Sequence, residues 1–333
     1  MSQQQYTFIN DCRSNTSTVN CGVPQGSILG PLLFILYIND IYRALQFPET
    51  KIILFADDTA LLLRHEDPVS LKQSAEKELN NVYKWFLVNR LSLSLNKSNC
   101  ILFHGKNRNP MSQIKGLCID TEVIPRVTHY KYIGLLLDER LTWDYHINHL
   151  CQQLTKYFTI FYNIRYFIDN RLIRVIYYAY IYSNIKYGIE LYGSAKTSKL
   201  DKVQTLQNKL LKTIMNKPFT YSTDQLHKDL IILKINDIYK FTILQFVHKC
   251  VHSTQITKFN TYYKTSDVDH DYQTRTKHHL HTQRYRTELG KSTVHNQGAT
   301  LWNSIPVEIK DIEIYDQFKN KLKDFILNQY DTN

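Results

Sequence analysis

An α+β fold follows from three features of the chain. Its first part holds short apolar and β-branched runs separated by turn-forming residues. Its middle carries apolar residues at helical spacing over long stretches. Its last part, residues 253 to 296, is polar and basic with no clear period. With 333 residues the chain exceeds one ordinary domain and can bury a sizeable core. Hydrophobic residues make up 43%, which excludes a disordered chain.

The elements are expected in this order. "QYTFI" and "STVNCGV" read as short strands with "RSN" as the turn between them. "PQGS" is a turn, and "LGPLLFILYINDIYRAL" follows as a helix. That helix is apolar nearly all round at its start, so it is expected to be buried. "KIILFA" and "TALLLRH" have strand length, and the two-residue break between them suggests a hairpin. Asp67 and Pro68 are an N-cap and a first-turn proline for a helix to about Leu91. "SLSLN" and "NCILFHG" read as extended, and "QIKGLCID" and "HYKYIGLLLD" as a strand pair. Helical spacing then links Ile147, Leu150, Leu154, Phe158, Phe161, Ile164 and Ile168, and again Leu200, Val203, Leu206, Leu210 and Ile214. Ser222 and Gln225 form a capping box for a further helix, and a last helix covers Asp316 to Gln329.

Charge narrows the partners. Lys and Arg number 41 against 30 Asp and Glu, a net charge of +11. An anionic partner is favoured, and nucleic acid is the commonest; a basic protein without such a partner fits the charge equally. The six cysteines form no C-x-x-C pair, which argues against a disulfide framework or zinc ribbon and for a reducing, intracellular setting. "MSQQQYTFIND" lacks the apolar core of a signal peptide, and "ILGPLLFILYI" is too short to span a bilayer.

Asp57 and Asp58 stand together inside the apolar run "IILFADDTALLL". Burying adjacent carboxylates adds like-charge repulsion to the cost of desolvation. The tip of a tight turn keeps them near solvent on a rigid support. A divalent cation there offsets the repulsion, and Mg²⁺ prefers carboxylates and substrate phosphates. Two such ions ~3.5–4 Å apart form the clamp used in nucleotidyl transfer. The pair alone fits a solvated turn as well.

The segment upstream decides between them. "CGVPQGSILGPLLFILYINDI" followed by "LFADDT" resembles motifs B and C of the reverse transcriptases of non-LTR (LINE-type, jockey-like) retrotransposons. "LSLNKSNCILF" resembles their motif D, and "YKYIGLLLDERLTWDYHI" their primer grip and the start of the thumb. "YGIELYGS", "LDKVQTLQNKLLKTI" and "GATLWNSIP" resemble the region after the polymerase core. The resemblance implies RNA-directed DNA polymerase chemistry with Mg²⁺, an RNA template, a DNA primer and deoxynucleoside triphosphates. It makes Asp57 the metal ligand and Asp58 a conditional one. Phe55 lies near the primer terminus and incoming nucleotide. Pro24, Gln25, Gly26 and Ser27 lie in the loop under the nascent base pair. Lys97 becomes the general acid for pyrophosphate or, alternatively, an ordinary exposed lysine. Tyr132, Ile133 and Gly134 become the primer grip. The implied organisation is a partial, ferredoxin-like palm over residues 1–140, a helical thumb and connection over 141–252, and a basic C-terminal region over 253–333.

One departure stands out. The family's motif A, with its first catalytic aspartate, lies well before motif B, yet only about twenty residues precede Gly22. Asp11 is too close to motif B and reads as a surface residue. The chain is therefore expected to be the C-terminal piece of a polymerase, inactive alone. The alternatives are a non-catalytic nucleic-acid-binding remnant and a group II intron maturase; the latter resembles "PQGG…SP" at motif B, unlike "PQGSILGP" here. In the tail, Arg275, Lys277, Arg284 and Arg286 interleave with tyrosines as a phosphate-binding surface. His278 and His281 have metal-ligand spacing but no cysteine nearby, and Cys250 and His252 make no zinc knuckle.

Overall fold

The computed structural model describes residues 3–19, 26–105, 114–252, 259, 262–263 and 279–331. The chain divides into two compact units, Met1–Thr128 and His129–Asn333. All strands among the described residues pair in separate two-stranded antiparallel sheets.

The first unit opens with a broken hairpin. Strand β1 (Gln3–Gln5) pairs with β4 (Ser17–Val19), and β2 (Phe8–Ile9) with β3 (Cys12–Arg13). The turn is Asn10–Asp11, not the expected "RSN". Both residues have positive φ, +47° and +63°, as a two-residue hairpin turn requires, and Asn and Asp tolerate that region. Asp11 is thus an exposed turn residue.

Helix α1 (Leu29–Ile38) ends at Asn39, and a short 3₁₀ turn, Ile41–Ala44, continues where one long helix was expected. The expectation of burial fails. Leu29, Leu32, Leu33, Ile35, Leu36 and Tyr37 are all exposed, and only Ile38 is buried. One edge of the helix, Phe34 and Ile38, reaches the small core of this unit, and nothing among the described residues covers the remainder.

Strands β5 (Lys51–Phe55) and β6 (Asp58–Leu62) form the expected hairpin. Alternation sends Ile52, Leu54 and Leu61 to the core, where they meet Val82 and Phe86. Those two lie on α2 (Pro68–Val88), whose buried residues Ala75, Glu78, Val82 and Phe86 share one face. Asp67 caps α2 as expected: its carboxylate accepts from the Ser70 N–H at 2.7 Å and the Ser70 hydroxyl at 2.8 Å. Glu78, fully buried, accepts from the N–H groups of Gln46 (2.9 Å) and Phe47 (2.6 Å), and from the Thr50 hydroxyl (3.4 Å). It fixes the loop that leads into β5.

Beyond α2 the chain departs from expectation twice. "SLSLN" is irregular with a 3₁₀ turn at Leu95–Lys97, and Cys100 contributes one isolated bridge to Arg126. "QIKGLCID" does not pair with "HYKYIGLLLD". Strand β7 (Gly116–Ile119) folds onto β8 (Glu122–Pro125) through a turn with Asp120 at φ +51°. β9 (His129–Tyr132) folds onto β10 (Leu135–Asp138) in the second unit. A two-residue turn, Ile133–Gly134, interrupts "HYKYIGLLLD", which read as a single strand. Asn80 and Glu76 of α2 hold β7 through hydrogen bonds with Cys118 and Asp120.

The second unit is helical after β10. Buried Asp138 accepts from the N–H groups of Arg140, Thr142 and Trp143, setting the entry to α3 (Asp144–Thr155). There follow α4 (Tyr157–Ile164), α5 (Asn170–Ile176), a π-helical turn at Tyr177–Tyr182, α6 (Ser183–Lys186) and α7 (Ile189–Tyr192). Next come α8 (Thr197–Ile214), α9 (Thr223–Asp229) and α10 (Ile235–His252). The chain closes with α11 (Glu288–Lys291), α12 (Val294–Ser304), α13 (Val307–Lys310) and α14 (Tyr315–Asn328). Helix α10 is buried on most of its surface and forms the centre, packed against α7, α8, α12 and α14. The expected apolar sets fill this core: Ile147, Leu150, Leu154 and Phe161, then Leu200, Val203, Leu210 and Ile214. Ser222 caps α9, but Gln225 bonds Asp229 instead of completing the box.

Removing the Glu78 carboxylate leaves two backbone N–H groups without acceptors in a part-buried loop. Glu78→Ala is expected to lower the local opening free energy at Gln46 and Phe47 by about 2–3 kcal/mol, measured by amide hydrogen exchange. In the second unit, burial pushes His146 and His227 down to about 4 from an ordinary 6.5. A histidine depressed in the folded state is protonated first in the unfolded one. Stability is therefore fully present above pH 6.5 and falls as pH drops towards 4. Thermal melting across that window should show the decline, and His227→Gln should make it shallower.

Candidate active site

The β5–β6 hairpin gathers Phe55, Asp57 and Asp58. Phe55 and Asp58 are opposite each other in register, and Ala56–Asp57 is the turn. Ala56 sits at φ +50°, a conformation that costs an L-residue roughly 1 kcal/mol. The core-facing pattern of Ile52, Leu54 and Leu61 fixes the strands, so the tip is held on a rigid support. Asp57 and Asp58 are both exposed. Exposure removes the burial cost raised by the sequence. Among the described residues neither carboxylate has a side-chain hydrogen bond or an ion pair. The face of the hairpin that carries Asp58 also exposes Ile53, Phe55 and Leu62. Among the described residues neither edge of the hairpin is paired; Phe8 and Ile9 pair with Arg13 and Cys12.

Two unpaired carboxylates on one tip are hard oxygen donors of the kind that holds Mg²⁺ together with phosphates or water. No group of three or more His, Cys, Asp or Glu side chains converges among the described residues. The pair therefore fits one ion whose remaining ligands come from elsewhere. Asp11 and Asp40 are exposed and stand outside any such group.

The other expected residues fall as follows. Pro24 and Gln25 lie outside the described residues. Gly26 has φ +84°, with no atom of the described residues within 4 Å of where a Cβ would stand, and the Ser27 hydroxyl accepts from the Gly30 N–H at 3.1 Å, steadying the start of α1. Lys97 ends the 3₁₀ turn and is exposed. Tyr132, Ile133 and Gly134 belong to the second unit, where Ile133 and Gly134 form the tip of β9–β10 with φ +44° and +78°. Tyr187 donates to the Ile133 carbonyl at 2.7 Å and packs where a Gly134 side chain would stand. Arg284 and Arg286 are exposed, and Arg275, Lys277 and His278 lie outside the described residues. Sequence reading missed Glu78, because a lone glutamate on an amphipathic helix looks like a solvated one.

Residues 2–137 match the family described as reverse transcriptase (RNA-dependent DNA polymerase). The matched residues take in nearly the whole of the first unit. The relatives are polymerases of non-LTR retrotransposons. The chain is 28% identical over 236 residues to the RNA-directed DNA polymerase from mobile element jockey of Drosophila funebris, covering 68% of this chain and 25% of that protein. It is 28% identical over 235 residues to the probable RNA-directed DNA polymerase from transposon X-element of Drosophila melanogaster, covering 67% and 25%. A Pol polyprotein from type-1 retrotransposable element R1 of Nasonia vitripennis is 26% identical over 124 residues, 37% of each chain. The match spans about a quarter of the jockey and X-element proteins. No helix among the described residues is long and apolar enough to cross a membrane.

Gly134→Ala is expected to cost about 1–2 kcal/mol in urea denaturation, because the position needs φ +78° and a Cβ would meet the Tyr187 ring at 2.9 Å.

Proposed function

We propose that the chain supplies the metal-binding hairpin of an RNA-directed DNA polymerase that copies RNA from a DNA primer. The observation that carries this reading is the Asp57–Asp58 pair, unpaired and exposed at a rigid hairpin tip within the residues that match the reverse transcriptase family. Asp57 is the principal Mg²⁺ ligand and Asp58 the secondary one. Bound there, Mg²⁺ would favour ionisation of the primer 3′-hydroxyl and neutralise charge on the triphosphate. Phe55, on the same face as Asp58, packs against the incoming nucleotide. Gly26 and Ser27, with Pro24 and Gln25, support the templating base pair. Lys97 gives a proton to the departing pyrophosphate. Tyr132, Ile133 and Gly134 steady the primer end.

In this reading residues 1–140 are the palm, 141–252 the thumb and connection, and 253–333 a basic accessory region with Arg275, Lys277, Arg284 and Arg286 on phosphates. A non-catalytic nucleic-acid-binding role is the second reading. It is favoured by the lack of a third converging ligand among the described residues. Residues 1–333 alone are therefore not expected to extend a primer.

The test joins the chain to the N-terminal half of a jockey-type polymerase and measures Mg²⁺-dependent DNA synthesis on an RNA template. Synthesis is expected, and Asp57→Asn should lower it by more than roughly a hundredfold. A fusion whose activity ignores Asp57→Asn would sink the reading. Extension by residues 1–333 alone would instead mean that Asp11 or Asp40 completes the site.

A further inference from the structure

Helix α4 and the turn after it carry a second cationic surface in the helical unit. Arg165 lies between two tyrosines, its guanidinium 3.6 Å from the Tyr162 ring centre and 4.6 Å from that of Tyr166. It also donates to the Tyr166 hydroxyl at 2.9 Å. Its Nε is buried without a hydrogen-bond partner, and no carboxylate pairs with the guanidinium among the described residues. The rings occupy the faces of the guanidinium, and its charge is left without an acidic counterpart. A guanidinium of that kind attracts phosphate. Tyr162 and Tyr166 are themselves 58% and 67% exposed.

The same helix leads to a cavity. Phe158, four residues before Tyr162 and seven before Arg165, lies on the same helical face. It lines an open cavity of about 260 Å³ together with Lys209, Lys212 and Lys217. None of these lysines has an ion-pair partner among the described residues. The rise from Phe158 to Arg165 is about 10 Å. Between residues 156 and 186 the chain has five Lys and Arg but one acidic residue, Asp169, whose carboxylate already caps α5.

We infer that this face binds single-stranded nucleic acid: the three lysines and the Arg165 charge attract successive phosphates, and Tyr162 and Tyr166 stack bases. Cations alone would serve a duplex or any acidic surface. Exposed rings beside them serve only a strand whose bases are unstacked. The inference rests on the nucleic-acid-copying reading but uses no residue of the hairpin.

The test is fluorescence anisotropy with the full chain, without divalent metal, using a labelled 12-nucleotide single strand, the same sequence as a duplex, and a poly-glutamate peptide. The single strand should bind tightest. Tyr162→Leu/Tyr166→Leu should weaken it by tenfold or more, with the same salt slope. Lys209→Gln/Lys217→Gln should reduce the slope of log K against log salt by about 1.4. Thermal melts of both variants should match the parent. Normal binding that ignores both variants overturns this site and spares the polymerase reading. Binding of neither nucleic acid by the parent overturns both. Loss of all three probes on the lysine changes, with no effect of the tyrosine changes, marks a general anion surface and overturns the stacking role.

Discussion

The hairpin that carries the aspartates depends on one buried carboxylate. Glu78 is fixed to α2 and gathers two backbone N–H groups and a hydroxyl from the loop before β5. Without that anchor the loop would have buried donors and no acceptors. With it, β5 enters at a set place and pleat. Its inward residues then meet Val82 and Phe86 one and two turns further along the same helix face. The position of Asp57 is thus a consequence of a hydrogen-bonding requirement between a side chain well after it in the chain and a loop before it.

The two units solve the stability problem differently. The first has four buried apolar residues in its cluster, and polar side chains of α2 hold its second hairpin. The second surrounds α10 with a continuous apolar core that also holds hydrogen-bonded polar side chains. Gln207, for example, donates to the Tyr177 hydroxyl and the Leu233 carbonyl. A sparse core beside an exposed apolar helix belongs to a unit that gains stability when that helix is covered.

What was legible in the sequence followed from period and turn chemistry. The alternation around Asp57 and Asp58 gave the hairpin, and Asp67 with Pro68 gave the start of α2. The four-and-three spacing gave α3, α4 and α8. The resemblance of the early motifs to reverse transcriptases agrees with the family match. The errors have physical causes. "HYKYIGLLLD" hides a turn because Ile133 adopts a left-handed conformation that a β-branched residue rarely takes. The apolar run of α1 implied burial, but periodicity cannot say whether a covering layer exists. Glu78 carries no local signal, since its partners come from a loop distant in sequence. Arg165 is similar: only the fold shows that its neighbours stack on it and that no acid reaches it.

The π-helical turn at Tyr177–Tyr182 solves a problem of phase. Ile173, Tyr177, Ile181 and Ile185 recur every four residues, and all are buried. In a regular α-helix four residues overshoot a full turn by about 40°, so three such steps would rotate the last side chain by roughly 120°. A π turn is wider and undershoots, and the two drifts cancel. One slackened turn keeps four side chains on a single line facing the core. Excising one residue there would tighten the helix into regular α form, and the side chains beyond it would move by only about 20°, because eleven α residues nearly complete the same three turns. The irregular turn is therefore a store of slack: it holds one residue more than a regular helix would need to join the same two faces.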